Sequence, residues 1–394
     1  MPALQIYDRR ERAVVAGADL LLAGAAGLVR PFRRRRKPSS PARILLLRLE
    51  RIGDLLMALP AIDDVRAAAP GAEIDLIVGS WNAELARSLP AVTRVETLDA
   101  GWLVRGGTGV GSAGMLRRAL GWRTRRYDVG LNFEPDVRSN ALLAVAGATW
   151  TAGYGSAGGG SLLDQALDYD TRMHTTDNAR QLVRAALGGP SAVTPAALAI
   201  PEDHHRAAAA LLRDAGSPLV AMHVSGGRLV KQWDPARFAT VATGLISARG
   251  ATIVLTGGPG DRPLIDQVKG ALPETNVIDV SETSSLLTVA AVLARCDIMV
   301  TGDTGPMHLA HAAGTPVVAI FGPSDPRRYA PRGPLDRVIR VDLPCAPCNR
   351  IRLPPERCTG HIPDCLRLIP DSRVLGEALE LLDTLDRRVR MPVA

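Results

Sequence analysis

The chain has 394 residues, 46% of them hydrophobic, which suffices for two domains with separate cores and excludes both a small stapled scaffold and a disordered chain. Aromatics make up only 4%, so Leu, Val, Ile and Ala must fill those cores, as in α/β proteins. The formal charge of +7 is concentrated: residues 1–41 hold nine basic and three acidic side chains, a surplus of six, leaving a surplus of one for the other 353 residues. A body so near neutrality is a poor match for a nucleic-acid partner, which needs several phosphate neutralisations on one continuous face, so none is expected.

In chain order, Ala13 to Val29 is apolar except for Asp19, and Arg30, Pro31 and the run Arg33 to Lys37 follow. As a helix these 17 residues reach about 25 Å, short of the ~30 Å hydrocarbon core, and Asp19 opposes insertion. A basic cluster stands where a signal peptide would carry its small-residue cleavage site. Two readings remain. In one, Val14, Ala18, Leu21, Ala25 and Leu28 recur at helical spacing and residues 13–37 rest on an anionic membrane surface. In the other, the segment is a loosely ordered extension with solvated arginines.

After the Pro38-Ser39-Ser40-Pro41 linker, short β-branched runs alternate with amphipathic stretches, the rhythm of a parallel sheet. Strands are predicted at Arg43 to Leu49, Glu73 to Val78 and Tyr127 to Phe133, with helices at Leu55 to Ala69 and Val137 to Gly147. A second series follows a polar, Ala/Pro-rich separator at residues 188–217. Its strands are predicted at Leu219 to His223, Thr252 to Thr256, Val277 to Asp279, Ile298 to Thr301 and Val317 to Phe321. Its helices are predicted at Pro235 to Arg249, Leu264 to Ala271, Ser284 to Arg295 and Thr304 to Ala313. Two such series imply an α/β protein of two facing doubly wound, Rossmann-like domains with ligand at the carboxyl ends of the strands. Gly109 to Gly114 matches G-x-G-x-x-G, but no good strand precedes it, and it reads as a flexible loop.

Three strand-to-helix junctions carry chemistry. Thr301 to Ala310 contains Gly302 and Gly305 for close backbone approach, free N–H groups at a helix start and the Thr304 hydroxyl, which together suit a phosphate; helix capping by Asp303 or Thr304 is the plainer alternative. His308, one turn on, can reach the same anion. Arg48 to Pro60 places Asp54 either as a general base for an attacking hydroxyl or as the N-cap of the helix from Leu55. His223 to Pro235 is a Gly-rich turn with Lys231, suited to neutralising a departing pyrophosphate or left solvated.

Together these junctions resemble the heptosyltransferase family of lipopolysaccharide assembly, glycosyltransferase family 9, from about Arg43 to beyond Cys365, with Asp303 to Ala310 the most specific part. The resemblance implies a GT-B fold and an inverting, metal-independent glycosyltransferase, with no cofactor for catalysis. It makes Asp54 the general base and Lys231 the donor-phosphate lysine. Ser225, Gly226, Gly257, Asp303, Thr304, Gly305 and His308 become donor-binding, and Arg51, Gly53 and Arg138 acceptor-binding. The expected organisation is an arm at residues 1–41, an acceptor domain at 42–200, a nucleotide-sugar domain at 215–372 and a C-terminal helix at 373–394. The implied partners are ADP-heptose and a lipid-linked or cell-envelope glycan, met at the inner face of the cytoplasmic membrane. Asn132 to Asp136 departs from the family's Asp-x-Gln-Gly segment on the acceptor side, and the basic arm is additional. A different donor with a non-lipopolysaccharide acceptor, or a non-catalytic sugar-nucleotide-binding protein, are the alternatives.

Five cysteines fit a reducing compartment better than a disulfide framework. Cys296 reads as a core residue. Cys345, Cys348, Cys358 and Cys365 fall within 21 residues, with His361 as a substitute ligand; they could form a structural zinc site or stand as reduced, packed thiols.

Overall fold

The computed structural model describes residues 4–6, 8–29, 36–104, 108–189 and 198–390. The chain divides into two units, the first ending at Ala196 and the second beginning at Ala197. Residues 190–197 of the expected separator and 30–35 of the arm, with Arg30 and Arg33 to Arg35, lie outside the described residues, as do the side chains of Ala25 and Leu28.

The first unit runs α1 (Arg9–Val29), β1 (Arg43–Arg48), α2 (Ile52–Ala68), β2 (Glu73–Val78), α3 (Ala83–Arg87), β3 (Arg94–Thr97) and α4 (Ser112–Trp122). It continues with β4 (Val129–Asn132), α5 (Val137–Ala146), β5 (Trp150–Tyr154), β6 (Gln165–Leu167) and α6 (Thr175–Leu187). Its sheet has the order β3-β2-β1-β4-β5-β6, parallel throughout. Ile44 to Leu47 are fully buried, as a central strand covered on both faces must be.

The second unit runs α7 (Glu202–Leu211), β7 (Leu219–His223), α8 (Pro235–Arg249), β8 (Thr252–Thr256), α9 (Arg262–Lys269), β9 (Val277–Asp279) and α10 (Leu286–Leu293). Then come β10 (Ile298–Gly302), α11 (Gly305–Ala312), β11 (Val317–Ile320), α12 (Pro326–Tyr329), β12 (Arg337–Ile339), α13 (Asp364–Arg367) and α14 (Asp371–Arg390). The order β12-β11-β10-β7-β8-β9, again parallel, repeats the first sheet's topology. In both sheets the first and fourth strands are neighbours and the connections leave them in opposite directions, which is the Rossmann order and its switch point.

Local chemistry explains the boundaries. Asp234 caps α8 by accepting from the Ala236 N–H at 2.9 Å, Pro235 occupies the first turn, and Gly250 ends the helix at φ 64°. Two expectations need correcting. Gly109 to Gly114 is not a loop throughout: Gly111 caps α4, Val110 bridges to Ala100, and a Cβ on Gly109 would lie 2.5 Å from the Gly101 Cα, so backbone crowding requires the glycine. The separator at 188–217 contains helix α7.

Candidate active site

In the first unit the switch point lies between β1 and β4, and the residues leaving both strands meet there. Asp54 is the third residue of α2, which starts before Leu55, so it is not the N-cap; its Oδ2 accepts from the N–H of the capping residue Arg51 at 3.2 Å. Arg48, the last residue of β1, is 3% exposed. It donates to the Asp54 carbonyl at 3.0 Å and the Phe133 carbonyl at 2.9 Å, and pairs with Glu50 Oε2 at 3.0 Å and Asp54 Oδ1 at 3.6 Å. Burial opposes the guanidinium charge, but Glu50, Asp54 and Glu134 outweigh it and raise the Arg48 pKa.

Glu134 is buried behind this group and ties the two junctions together. It accepts from the Leu49 N–H, the Glu50 N–H at 3.0 Å and the Ser139 hydroxyl at 2.5 Å. Burial pushes its carboxyl above the usual range, against Arg48 and these donors. Asp136 caps α5 and pairs with Arg138 at 2.6 Å, while the Arg138 guanidinium lies 4.5 Å from the Trp102 ring centroid. Arg51 sits 5.2 Å from the Trp81 centroid and donates to the Leu103 carbonyl; Gly53 is buried in the first turn of α2. The structure thus gathers Arg51, Gly53, Asp54 and Arg138 at one end of the first sheet.

The second unit repeats the arrangement between β7 and β10. Lys231 Nζ lies 2.8 Å from Asp303 Oδ2, so Lys231 is not a solvated side chain and Asp303 is not the cap of α11. Burial opposes the Asp303 charge, but Lys231, a Ser324 hydrogen bond and His308 overcome it and lower its pKa. Thr304 holds the N-cap position without a side-chain cap bond, its hydroxyl donating to the Gly302 carbonyl at 3.3 Å. The first-turn N–H groups of α11 therefore lack a side-chain cap and offer an anion site. Gly305 opens that turn and His308 is buried within it.

The turn after β7 is fixed by Gln232, buried, which accepts from the Gly226 N–H at 2.7 Å and donates to the carbonyls of Val224 and Trp233, each at 2.6 Å. A Cβ on Gly226 would lie 2.5 Å from the Lys231 carbonyl carbon, so only glycine lets Ser225 to Gly227 lie against the lysine's backbone. Gly257 follows β8 at the same sheet end.

The tetrahedral cysteine site is a correction: among the described residues no three His, Cys, Asp or Glu side chains are placed to hold a metal ion. Cys365 is buried on α13 whereas Cys345 is exposed. The Cys365 thiol is pushed up to about 12, first by burial and then by Cys348, Cys358 and Cys345 nearby. The sequence reading singled out neither Arg48, Glu134 nor Gln232. An arginine closing an apolar strand was a visible signal for Arg48; the partners of the other two are set by tertiary structure.

The fold is that of solved glycosyltransferases. Heptosyltransferase II of E. coli, described as an ADP-heptose lps heptosyltransferase, superposes with TM-score 0.71 at 22% identity over 87% of this chain and 99% of its own. A glycosyltransferase family 9 protein from Veillonella parvula gives 0.75 at 22% identity over 86% and 97%. Two Rossmann-order units of this kind make up the GT-B fold. Residues 114–357 match the model of Glycosyltransferase family 9 (heptosyltransferase), more than half of the chain, and the protein belongs to that family. The lipopolysaccharide core heptosyltransferase OpsX of Haemophilus influenzae is 24% identical over 308 residues, 77% of this chain and 85% of that protein. Lipopolysaccharide heptosyltransferase 1 of Pseudomonas aeruginosa is 26% identical over 326 residues, 78% and 86%.

Proposed function

We propose that this glycosyltransferase moves heptose from ADP-heptose to a lipid-linked glycan of the cell envelope, with inversion at the anomeric carbon and no metal ion in the chemical step. The observation that carries the reading is the Lys231–Asp303 pair at 2.8 Å beside the uncapped start of α11. A diphosphate bound there receives an ammonium held in place by a buried carboxylate, together with backbone N–H groups and the Thr304 hydroxyl. The solved E. coli heptosyltransferase WaaC with ADP-2-deoxy-2-fluoro heptose, 24% identical, supports the choice of donor.

Asp54 accepts the proton of the acceptor hydroxyl. The freed oxygen attacks the anomeric carbon opposite the diphosphate, the bond to the diphosphate oxygen breaks with its electron pair, and ADP leaves with the configuration inverted. Arg48 keeps the Asp54 carboxylate oriented, while Arg51 and Arg138 supply positive charge to an acceptor. Among the described residues no helix is long and apolar enough to cross a membrane. In this reading residues 13–37 hold the enzyme on the anionic inner face of the cytoplasmic membrane, where a lipid-linked acceptor is met.

Asp54→Asn tests the assignment. Turnover should fall by about 10²–10⁴-fold while the affinity for ADP, measured by calorimetry, stays that of the wild type. NMR of the product should show the anomeric linkage opposite to that of the donor. Undiminished turnover removes Asp54 as the base, and a retained configuration removes the single-displacement mechanism.

A further inference from the structure

Helix α1 is inverted relative to an ordinary surface helix, which turns its charges outward and its leucines inward. Between Ala13 and Gly24 its outward face consists of Val14, Leu20 and Leu21, exposed by 72%, 67% and 76%, with small residues between them. The charged residue of this stretch, Asp19, is 7% exposed. Its Oδ1 accepts from the Gly159 N–H at 2.6 Å. Gly158 and Gly159 adopt φ of 93° and 73°, and a Cβ on Gly158 would lie 2.7 Å from Val15 Cγ1, so these glycines form the seat of the helix. Asn140 fixes that seat by donating to the Gly158 carbonyl at 3.0 Å and the Tyr154 carbonyl at 2.8 Å.

The seat follows β5. In a parallel sheet this is the end that also carries Asp54. Exposed Arg9, Arg10 and Arg12 open the helix, and exposed Arg36 and Lys37 close the arm beyond it. An apolar ridge flanked by cations is the pattern of a helix lying in the headgroup region of an anionic bilayer. A second copy of this chain is the poorer occupant, since pairing two such faces would bring like-charged arginines together.

We propose that α1 is a lipid-facing helix: Asp19 latches it to the Gly158–Gly160 turn, Val14, Leu20 and Leu21 enter an anionic lipid surface, and the Asp54 end of the first sheet is thereby held toward the bilayer. This rests on the membrane reading above and not on the transfer reaction, so its test uses no turnover. The full-length protein is sedimented with phosphatidylglycerol-containing vesicles and with neutral phosphatidylcholine vesicles in 0.15 M salt. The wild type should pellet at least tenfold more with the anionic vesicles, and Leu20→Glu/Leu21→Glu should lose at least tenfold of that while melting as the wild type does. Asp19→Ala should still pellet, while hydrogen exchange at Gly159 rises at least tenfold.

Absence of wild-type pelleting overturns the membrane reading and this proposal together. Unchanged pelleting of the double variant overturns the lipid-facing ridge alone, the basic run then carrying the binding. Unchanged exchange at Gly159 in Asp19→Ala overturns the latch. A wild-type dimer that the double variant dissociates, without vesicle binding, assigns the face to a second copy and overturns the lipid surface.

Discussion

Replacing Lys231 by Met separates what the Lys231–Asp303 pair does for folding from what it does for transfer. The two side chains are 19% and 10% exposed and their charged atoms are 2.8 Å apart. Without the ammonium, Asp303 remains a buried carboxylate that keeps the support of Ser324 and His308. Stranding one member of a buried pair costs about 3–5 kcal/mol; the partial exposure of Lys231 and the remaining partners place this case at about 2–3 kcal/mol. In a unit of this size that is roughly 5–10 °C in Tm. The pH dependence carries the sign. In the wild type the depressed Asp303 pKa gives stability that is present at neutral pH and lost as the pH falls below the ordinary 3.8 toward the depressed value. In Lys231→Met, burial acts unopposed by the ammonium and raises that pKa, so the penalty is full at neutral pH and relieved on acidification. Urea unfolding at pH 7.5 and pH 5 should show the difference, and adding Asp303→Asn should restore most of the lost stability. Activity should remain down by about 10²–10³ in kcat/KM in both variants, since the diphosphate has lost its cation. A Lys231→Met protein as stable as the wild type at pH 7.5, or a double variant less stable than the single, would refute the reasoning.

Two further substitutions probe the elements that position the site. Gly226→Ala puts a methyl 2.5–2.6 Å from the backbone of Lys231 and Gln232, which cannot yield as a side-chain tip could. It should cost about 1–3 kcal/mol and weaken ADP at least tenfold by calorimetry; wild-type affinity would show that the turn does not position Lys231. Arg180→Met removes the two bonds at 2.8 and 3.1 Å that Asp64, 5% exposed, receives from Arg180 between α6 and α2. Urea unfolding should show a loss of about 3 kcal/mol, and a loss below about 1 kcal/mol would mean the Asp64 charge is relieved by another route.

Most of the strands that were legible are buried, because an apolar run such as Ile44 to Leu47 is required wherever both faces of a sheet are covered, although the partly buried edge strand β9 was also legible and the buried β5 was not. The α8 boundaries were legible for a local reason, the Asp234-Pro235 start and the Gly250 stop. Strand β3 was not: Arg94 to Thr97 is an edge strand with a charged, partly exposed sequence, and nothing local separates it from a turn. Strand β6, at the opposite edge, has three residues and the same difficulty. At Asp54 and Asp303 the sequence spacing left both helix capping and active chemistry open. The structure separates both carboxylates from the N-cap position, since Asp54 lies inside the first turn, where it closes a capping box with Arg51, and Asp303 faces a lysine 72 positions earlier.

That separation follows from topology. Neighbouring strands β1 and β4, and likewise β7 and β10, send their connections to opposite faces of the sheet, which leaves a gap at their carboxyl ends where backbone N–H groups and short polar side chains have no strand to satisfy them. Arg48 beside Phe133 and Glu134, and Lys231 beside Asp303, are pairs across such gaps, joining residues 72 to 86 positions apart. A sequence shows which junctions are rich in glycine and charge; which two junctions face each other depends on strand order. The departure at Asn132 to Asp136 illustrates the point. Read along the chain it is a lost acceptor motif, but across the gap Glu134 is the buried acceptor for the Leu49 and Glu50 N–H groups and a counter-charge for the arginine that orients Asp54. The segment therefore supports the junction that carries the proposed base.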